Sequence, residues 1–130
     1  MAEKKWLVHV VPHTHWDREW YLTFQTMRLR LVGLVDRLCA ALTRRGFPGR
    51  FTLDGQMVVL EDYREAEGRH VDQLKELIEQ GEIHVGPWYV LSDEFIPGEE
   101  SLVRNLLVGR SLGDRWGAWM SEGYLPDSFG

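Results

Sequence analysis

Apolar runs that each close on polar or ionisable side chains, alternating with stretches of helical spacing, constrain this chain more than any other feature. The run Trp6-Leu7-Val8-His9-Val10-Val11 ends at Pro12. A short Val-rich run without strict alternation predicts a buried parallel strand over 6–12. Phe51-Thr52-Leu53 predicts a second strand that stops at Asp54-Gly55-Gln56, and Ile83-His84-Val85-Gly86 a third that runs into Trp88–Glu94. Gly123–Gly130 resembles a further short strand stopping at Asp127. Between these runs the period changes. Leu31, Leu34, Val35, Leu38 and Leu42 share a helical face, so a helix is expected over Met27–Leu42, closed by Arg44-Arg45-Gly46. Further helices are expected over Met57–Glu67, over Val71–Gln80 with Gly81 as its stop, and from Ser101 as N-cap. Trp116–Met120 fits either helix or loop.

Strands alternating with helices imply βαβ units and a mainly parallel sheet. Right-handed crossovers then bring the C-terminal ends of the strands to one edge, where α/β folds bind ligands. The clusters His13–Asp17, Asp54–Gln56, Trp88–Glu94 and Asp127 should therefore converge. No internal repeat, low-complexity tract or flexible linker divides the chain, so residues 1–130 are expected to form part of one domain.

Composition removes several functions. With 15 Lys+Arg against 20 Asp+Glu, net charge −5 and no dense basic stretch, neither nucleic acid nor an anionic membrane is an expected partner. The first apolar run is too short for a membrane span or a signal segment. Cys39 is the one cysteine, so there is no disulfide framework, and a cytoplasmic location is expected. Gly109, Gly113 and Gly117 are spaced wrongly for a phosphate loop.

The chemistry concentrates in His13-Thr14-His15-Trp16-Asp17. On an extended segment, side chains two residues apart share a face, so His15 and Asp17 offer an imidazole and a carboxylate together, as a divalent metal requires. The competing reading is a solvated loop with Asp17 paired to Arg18. Parity leaves His13 open between ligand and a neighbour that orients one. Asp127, from another strand, is either a third donor, a nucleophile or a turn residue. Asp54, Asp93 and Glu94 are further acidic candidates, whereas His9 and His84 lie within apolar runs and read as core residues. Six Trp is many for this length; Trp16, Trp20 and Trp88 beside polar clusters suit either core packing or stacking on sugar rings.

The stretch Pro12-His13-Thr14-His15-Trp16-Asp17-Arg18-Glu19-Trp20 resembles the opening motif of the glycoside hydrolase family 38 α-mannosidases, especially bacterial members. Gly81–Glu94, Glu100–Leu107 and Gly123–Gly130 resemble later blocks of that family in the same order. The resemblance implies that the chain forms the first part of a seven-stranded β/α barrel. It implies zinc as cofactor, with His15, Asp17 and Asp127 as ligands and His13 as a neighbour only. It also implies that Asp127 is the nucleophile of a retaining mechanism and that Trp20 and Phe129 line the site for a mannoside substrate. The family's fourth ligand and its general acid match nothing in these 130 residues. The chain alone is accordingly expected to show little or no mannosidase activity, to bind zinc weakly at best, and to expose apolar strand edges. The alternatives are a metal-dependent carbohydrate deacetylase, in which Asp and His ligands activate water, and a non-catalytic sugar-binding or structural module.

Overall fold

The computed structural model describes residues 5–44, 49–66 and 68–129. It is a mixed α/β arrangement with the order α1 (Phe24–Leu42), β1 (Phe51–Gln56), α2 (Val58–Glu65), α3 (Val71–Glu79), β2 (Ile83–Trp88) and α4 (Glu99–Trp116). β1 and β2 pair in parallel. On the other edge of β1 a parallel bridge joins His13 to Thr52, with Thr52 N–H donating to Pro12 O at 2.9 Å and Thr14 N–H to Thr52 O at 3.1 Å. β1 is thus flanked on both sides, and all but its first residue are buried.

Helix faces follow the apolar spacing. Leu31, Val35, Leu38 and Cys39 are the buried residues of α1, at the spacing expected of a single core-facing stripe. They meet α2 and α3, and the shared core continues through Leu53, Met57, Leu60, Tyr63, Leu74, Ile78, Ile83 and Val85. Burial pushes the Cys39 thiol up to about 11. The N-terminus of α2 has no side-chain cap; Met57 N–H donates to Trp88 O at 2.7 Å and Val58 N–H to Tyr89 O at 3.0 Å, so the end of β2 and the residue after it supply the acceptors that a cap residue would. α3 ends as expected at Gly81, whose φ of 70° allows Gly81 N–H to reach Ile78 O at 3.0 Å and Glu82 N–H to reach Leu77 O at 2.9 Å. That pair of bonds is a Schellman closure.

Several expectations need correction. The run over 6–12 is not a buried strand: Leu7 and Val10 are each 81% exposed, and the segment meets β1 only at its C-terminal end. A strand is buried only when paired along its length and covered on its faces, and here neither holds. His9 is therefore exposed and is no core residue. Gly123–Gly130 forms no ladder among the described residues, so the expected four strands reduce to two and a bridge. β1 extends to Gln56 and β2 to Trp88, past the ends of their apolar runs, because ladder bonds continue where hydrophobicity stops. α1 begins at Phe24, three residues before the expected start at Met27, and α4 begins after Gly98, so Ser101 lies inside it and its N–H donates to Gly98 O at 2.9 Å. Gly117, at φ 92°, ends α4, which makes 118–120 loop. The proposed closing residues Arg45 and Gly46, and the end of the second helix at Glu67, lie outside the described residues. No helix among those described is long and apolar enough to cross a membrane.

Two of the glycines excluded from a phosphate loop have a packing role. A Cβ at Gly109 would land on the Pro87 carbonyl oxygen, and one at Gly113 on the Trp119 side chain. The first lets α4 lie against the end of β2, and the second lets the Trp119 side chain fold back onto α4. Gly109→Ala is expected to destabilise the chain by about 1–3 kcal/mol, because backbone must give way. A urea titration should show a lowered midpoint, and an unchanged midpoint would mean that α4 lifts without cost.

Candidate metal and sugar site

The site is assembled at the C-terminal end of β1. Asp54 lies within β1, 0% exposed, and its carboxylate accepts from three donors. These are Gly55 N–H to Oδ1 at 2.6 Å, Trp16 N–H to Oδ2 at 2.8 Å and Gln56 Nε2 to Oδ2 at 3.0 Å. Gln56 Nε2 also donates to Trp16 O at 2.6 Å. Burial raises the Asp54 pKa, and the bonds from Gln56, Gly55 and Trp16 counteract part of that rise. Asp54 therefore holds the backbone of the His15–Asp17 segment and does not face the cleft as an acid.

His15 projects from that segment. Its Nε2 lies 3.3 Å from Asp17 Oδ1 and 3.7 Å from Asp127 Oδ2. His13 turns elsewhere. Its Nδ1 meets the Tyr124 hydroxyl, and the two rings pack edge to face with centroids 5.6 Å apart. Two backbone contacts further place the segment that carries Asp127. A Cβ at Gly55 would strike the Tyr124 carbonyl, so glycine there admits the close passage of this segment over β1. At the other end Glu94 N–H donates to Phe129 O at 2.7 Å. Burial also raises the Tyr124 pKa.

A cleft of about 690 Å³ opens over these residues, lined by His15, Asp17, Arg18, Glu19, Trp20, Gln56, Asp93, Asp127 and Phe129 among others. Trp20 and Phe129 present aromatic surface there, 68% and 65% exposed. The carboxylates of Asp17, Glu19, Asp93 and Asp127 outweigh Arg18, which is already paired with Asp62. Such a cleft attracts cations.

Donor chemistry and spacing allow a zinc fit to be judged. Tetrahedral zinc with bonds of about 2.0–2.2 Å places its ligand atoms about 3.3–3.6 Å apart. The His15–Asp17 spacing matches such an edge and the His15–Asp127 spacing is slightly longer. The residue types suit a zinc ion, and of the two spacings only that of His15 to Asp17 falls within this range. They do not form a finished cage: among the described residues no three His, Cys, Asp or Glu are grouped tightly enough to hold a metal, and Asp127 is 64% exposed at its side chain.

The supporting residues are ones that the sequence concealed. Arg18 makes a bidentate pair with Asp62, at 2.7 and 2.9 Å, and lies over the Phe24 ring at 4.5 Å. The Asp62 carboxylate holds the guanidinium pKa above its ordinary value. Asn105 on α4 accepts from Tyr89 N–H and Val90 N–H at 2.8 and 2.9 Å and returns a bond to Val90 O at 2.7 Å, fixing the strand exit that lines the cleft. An Asn or Asp on a helix ordinarily faces water, so neither carried a signal; only an Asn beside a strand end in space would have marked Asn105. His84 Nε2 lies 3.0 Å from Gly81 O, a structural contact. Arg104 pairs with Glu100, four residues earlier on α4, at 2.7 Å.

Comparisons with known proteins agree on one family. The profile described as "Glycosyl hydrolases family 38 N-terminal domain" matches residues 5–130. A putative mannosylglycerate hydrolase of Halalkalibacterium halodurans is 37% identical over 123 residues, 94% of this chain and 14% of that protein. The crystal structure of an alpha-mannosidase from Enterococcus faecalis superposes with a TM-score of 0.85 at 38% identity, covering 91% of this chain and 13% of that one. A glycosyl hydrolase family 38 protein from the same organism gives 0.80 and 35%, covering 91% and 14%. The chain spans about one-seventh of the length of these relatives.

Proposed function

The chain belongs to the glycosyl hydrolase family 38 N-terminal domains, and from that membership we propose that it supplies one wall of a zinc-dependent, retaining α-mannosidase site. The site belongs to a protein of the relatives' length, acting in the cytoplasm on terminal α-mannosides. The chain contributes the first βα units of a β/α barrel, a reading supported by the parallel order of 12–14, β1 and β2 and by the likeness to the mannosidase structure. One observation carries the functional reading: His15 stands between Asp17 and Asp127 in a cleft walled by Trp20 and Phe129.

His15, Asp17 and Asp127 would hold the zinc, which when bound supplies positive charge and coordination for sugar hydroxyls. Trp20 and Phe129 offer flat apolar faces against which a pyranose ring can stack, excluding water from one side. An Asp127 carboxylate oxygen attacks the anomeric carbon as the bond to the leaving-group oxygen breaks, giving a mannosyl ester with inversion. Water then displaces Asp127 with a second inversion, so configuration is retained. A general acid protonates the leaving oxygen, and its conjugate base then takes the proton of the attacking water.

The two relatives differ in the substrate they are named for, one a putative mannosylglycerate hydrolase and the other an alpha-mannosidase. Trapping separates this proposal from a deacetylase or a simple sugar-binding module. A protein of the relatives' length, treated with a fluorinated mannosyl fluoride and digested, is expected to carry one added mannosyl group on the peptide containing Asp127. A covalent adduct on another residue, or a product of inverted configuration, would overturn it.

A further inference from the structure

We propose that Asp54 and Gln56 are positioning residues that set the angle between His15 and Asp17 by gripping both peptide groups of Trp16. This inference rests on the zinc reading above. The Trp16 N–H belongs to the peptide that joins it to His15, and the Trp16 carbonyl to the peptide that joins it to Asp17. Asp54 Oδ2 accepts the first at 2.8 Å and Gln56 Nε2 donates to the second at 2.6 Å. Gln56 is in turn tied to Asp54 Oδ2 at 3.0 Å, so the two grips form one unit. The Trp16 side chain packs against the core and supplies a third anchor. With both peptide planes held, the backbone torsions of Trp16 are held as well, and these torsions set where the flanking imidazole and carboxylate point.

The burial of the pair makes a general filling role a poor account of it. Asp54 is 0% and Gln56 4% exposed. A buried carboxylate is costly unless every oxygen is used, and an uncharged residue of the same shape would be cheaper to bury. Its use lies in the donor count. Three N–H donors converge on Asp54, two on Oδ2 and one on Oδ1. An Asn in its place would turn an NH2 toward one of those N–H groups, leaving either Gly55 or Trp16 without an acceptor. Residues that hold ligands from behind in this way typically change metal affinity by about 10- to 100-fold when lost.

The test uses a protein of the relatives' length, stripped of metal by chelation. Wild type, Asp54→Asn, Gln56→Met and His15→Ala are titrated with Zn2+ against a chromophoric chelator and with Co2+ by visible absorption, with a thermal melt on each. Gln56→Met keeps the volume and removes both side-chain bonds, so it decides the question should Asp54→Asn fail to fold. Expected are measurable binding by wild type, loss of binding in His15→Ala, and about 10- to 100-fold weaker binding with an altered Co2+ band in the two positioning variants. Folded positioning variants that bind both metals as wild type does, only with lower melting temperatures, would reduce Asp54 and Gln56 to structural support and overturn the inference. Zinc binding in His15→Ala equal to wild type overturns the zinc reading itself, a separate result.

Discussion

Asp127→Asn in a protein of the relatives' length is expected to lower hydrolysis of an aryl α-mannoside by about 10⁴-fold or more, the scale on which loss of a covalent nucleophile acts. On the proposed mechanism the amide that replaces the carboxylate is a poor nucleophile, and the change removes one negative charge from the proposed zinc donors. Asp17→Asn removes the same charge from the neighbouring proposed donor, 3.3 Å from His15, but leaves the proposed nucleophile in place. The two variants should therefore separate under added zinc. Saturating Zn2+ is expected to restore a good part of the activity of Asp17→Asn and almost none to Asp127→Asn. Equal rescue of both would show that Asp127 acts only as a ligand, and the retaining mechanism would have to be withdrawn.

The second large effect concerns stability. Arg18→Met should destabilise the chain by about 2–4 kcal/mol, less than the loss of a fully buried partner because Arg18 is itself 44% exposed. The asymmetry of the pair sets the sign of the comparison. Asp62 is 3% exposed at its side chain, so removing Arg18 leaves a carboxylate in the interior without its bidentate partner. Asp62→Leu instead removes the buried charge and leaves Arg18 to reach water, and should cost less. Urea titrations of both variants check this, and Asp62→Leu proving the more damaging of the two would refute the reasoning. Arg18 also lines the cleft and stacks on Phe24, so Arg18→Met should additionally loosen the aromatic wall beside Trp20.

How much of this was legible depended on the range of the interaction. The helices α1 and α3 follow from the spacing of Leu31, Val35 and Leu38 and of Leu74, Leu77 and Ile78, because helical period is a local property. The stop at Gly81 was equally local, a matter of which residue tolerates positive φ. The run Trp6–Val11 misled because an apolar strand pattern states only a capacity for burial. Whether that capacity is met depends on a paired edge and covering layers, which lie elsewhere in the fold. The extension of β1 through Asp54–Gln56 was hidden for the converse reason, since polar side chains ordinarily mark the end of a buried strand.

The sequence by itself determined the helices, the strands β1 and β2 and the parallel sense of their pairing, which are matters of period and order along the chain. Through the resemblance of the motif around His15 and of the later blocks it also pointed to the family, and to His15, Asp17, Asp127, Trp20 and Phe129 as the residues to watch. Tertiary structure alone decided that His13 turns to Tyr124, that Asp54 grips Trp16 across 38 residues of sequence, and that Asp62 and Asn105 hold the edges of the cleft. Hydrogen bonds of that reach depend on which segments the packed core brings side by side, and no local pattern encodes that.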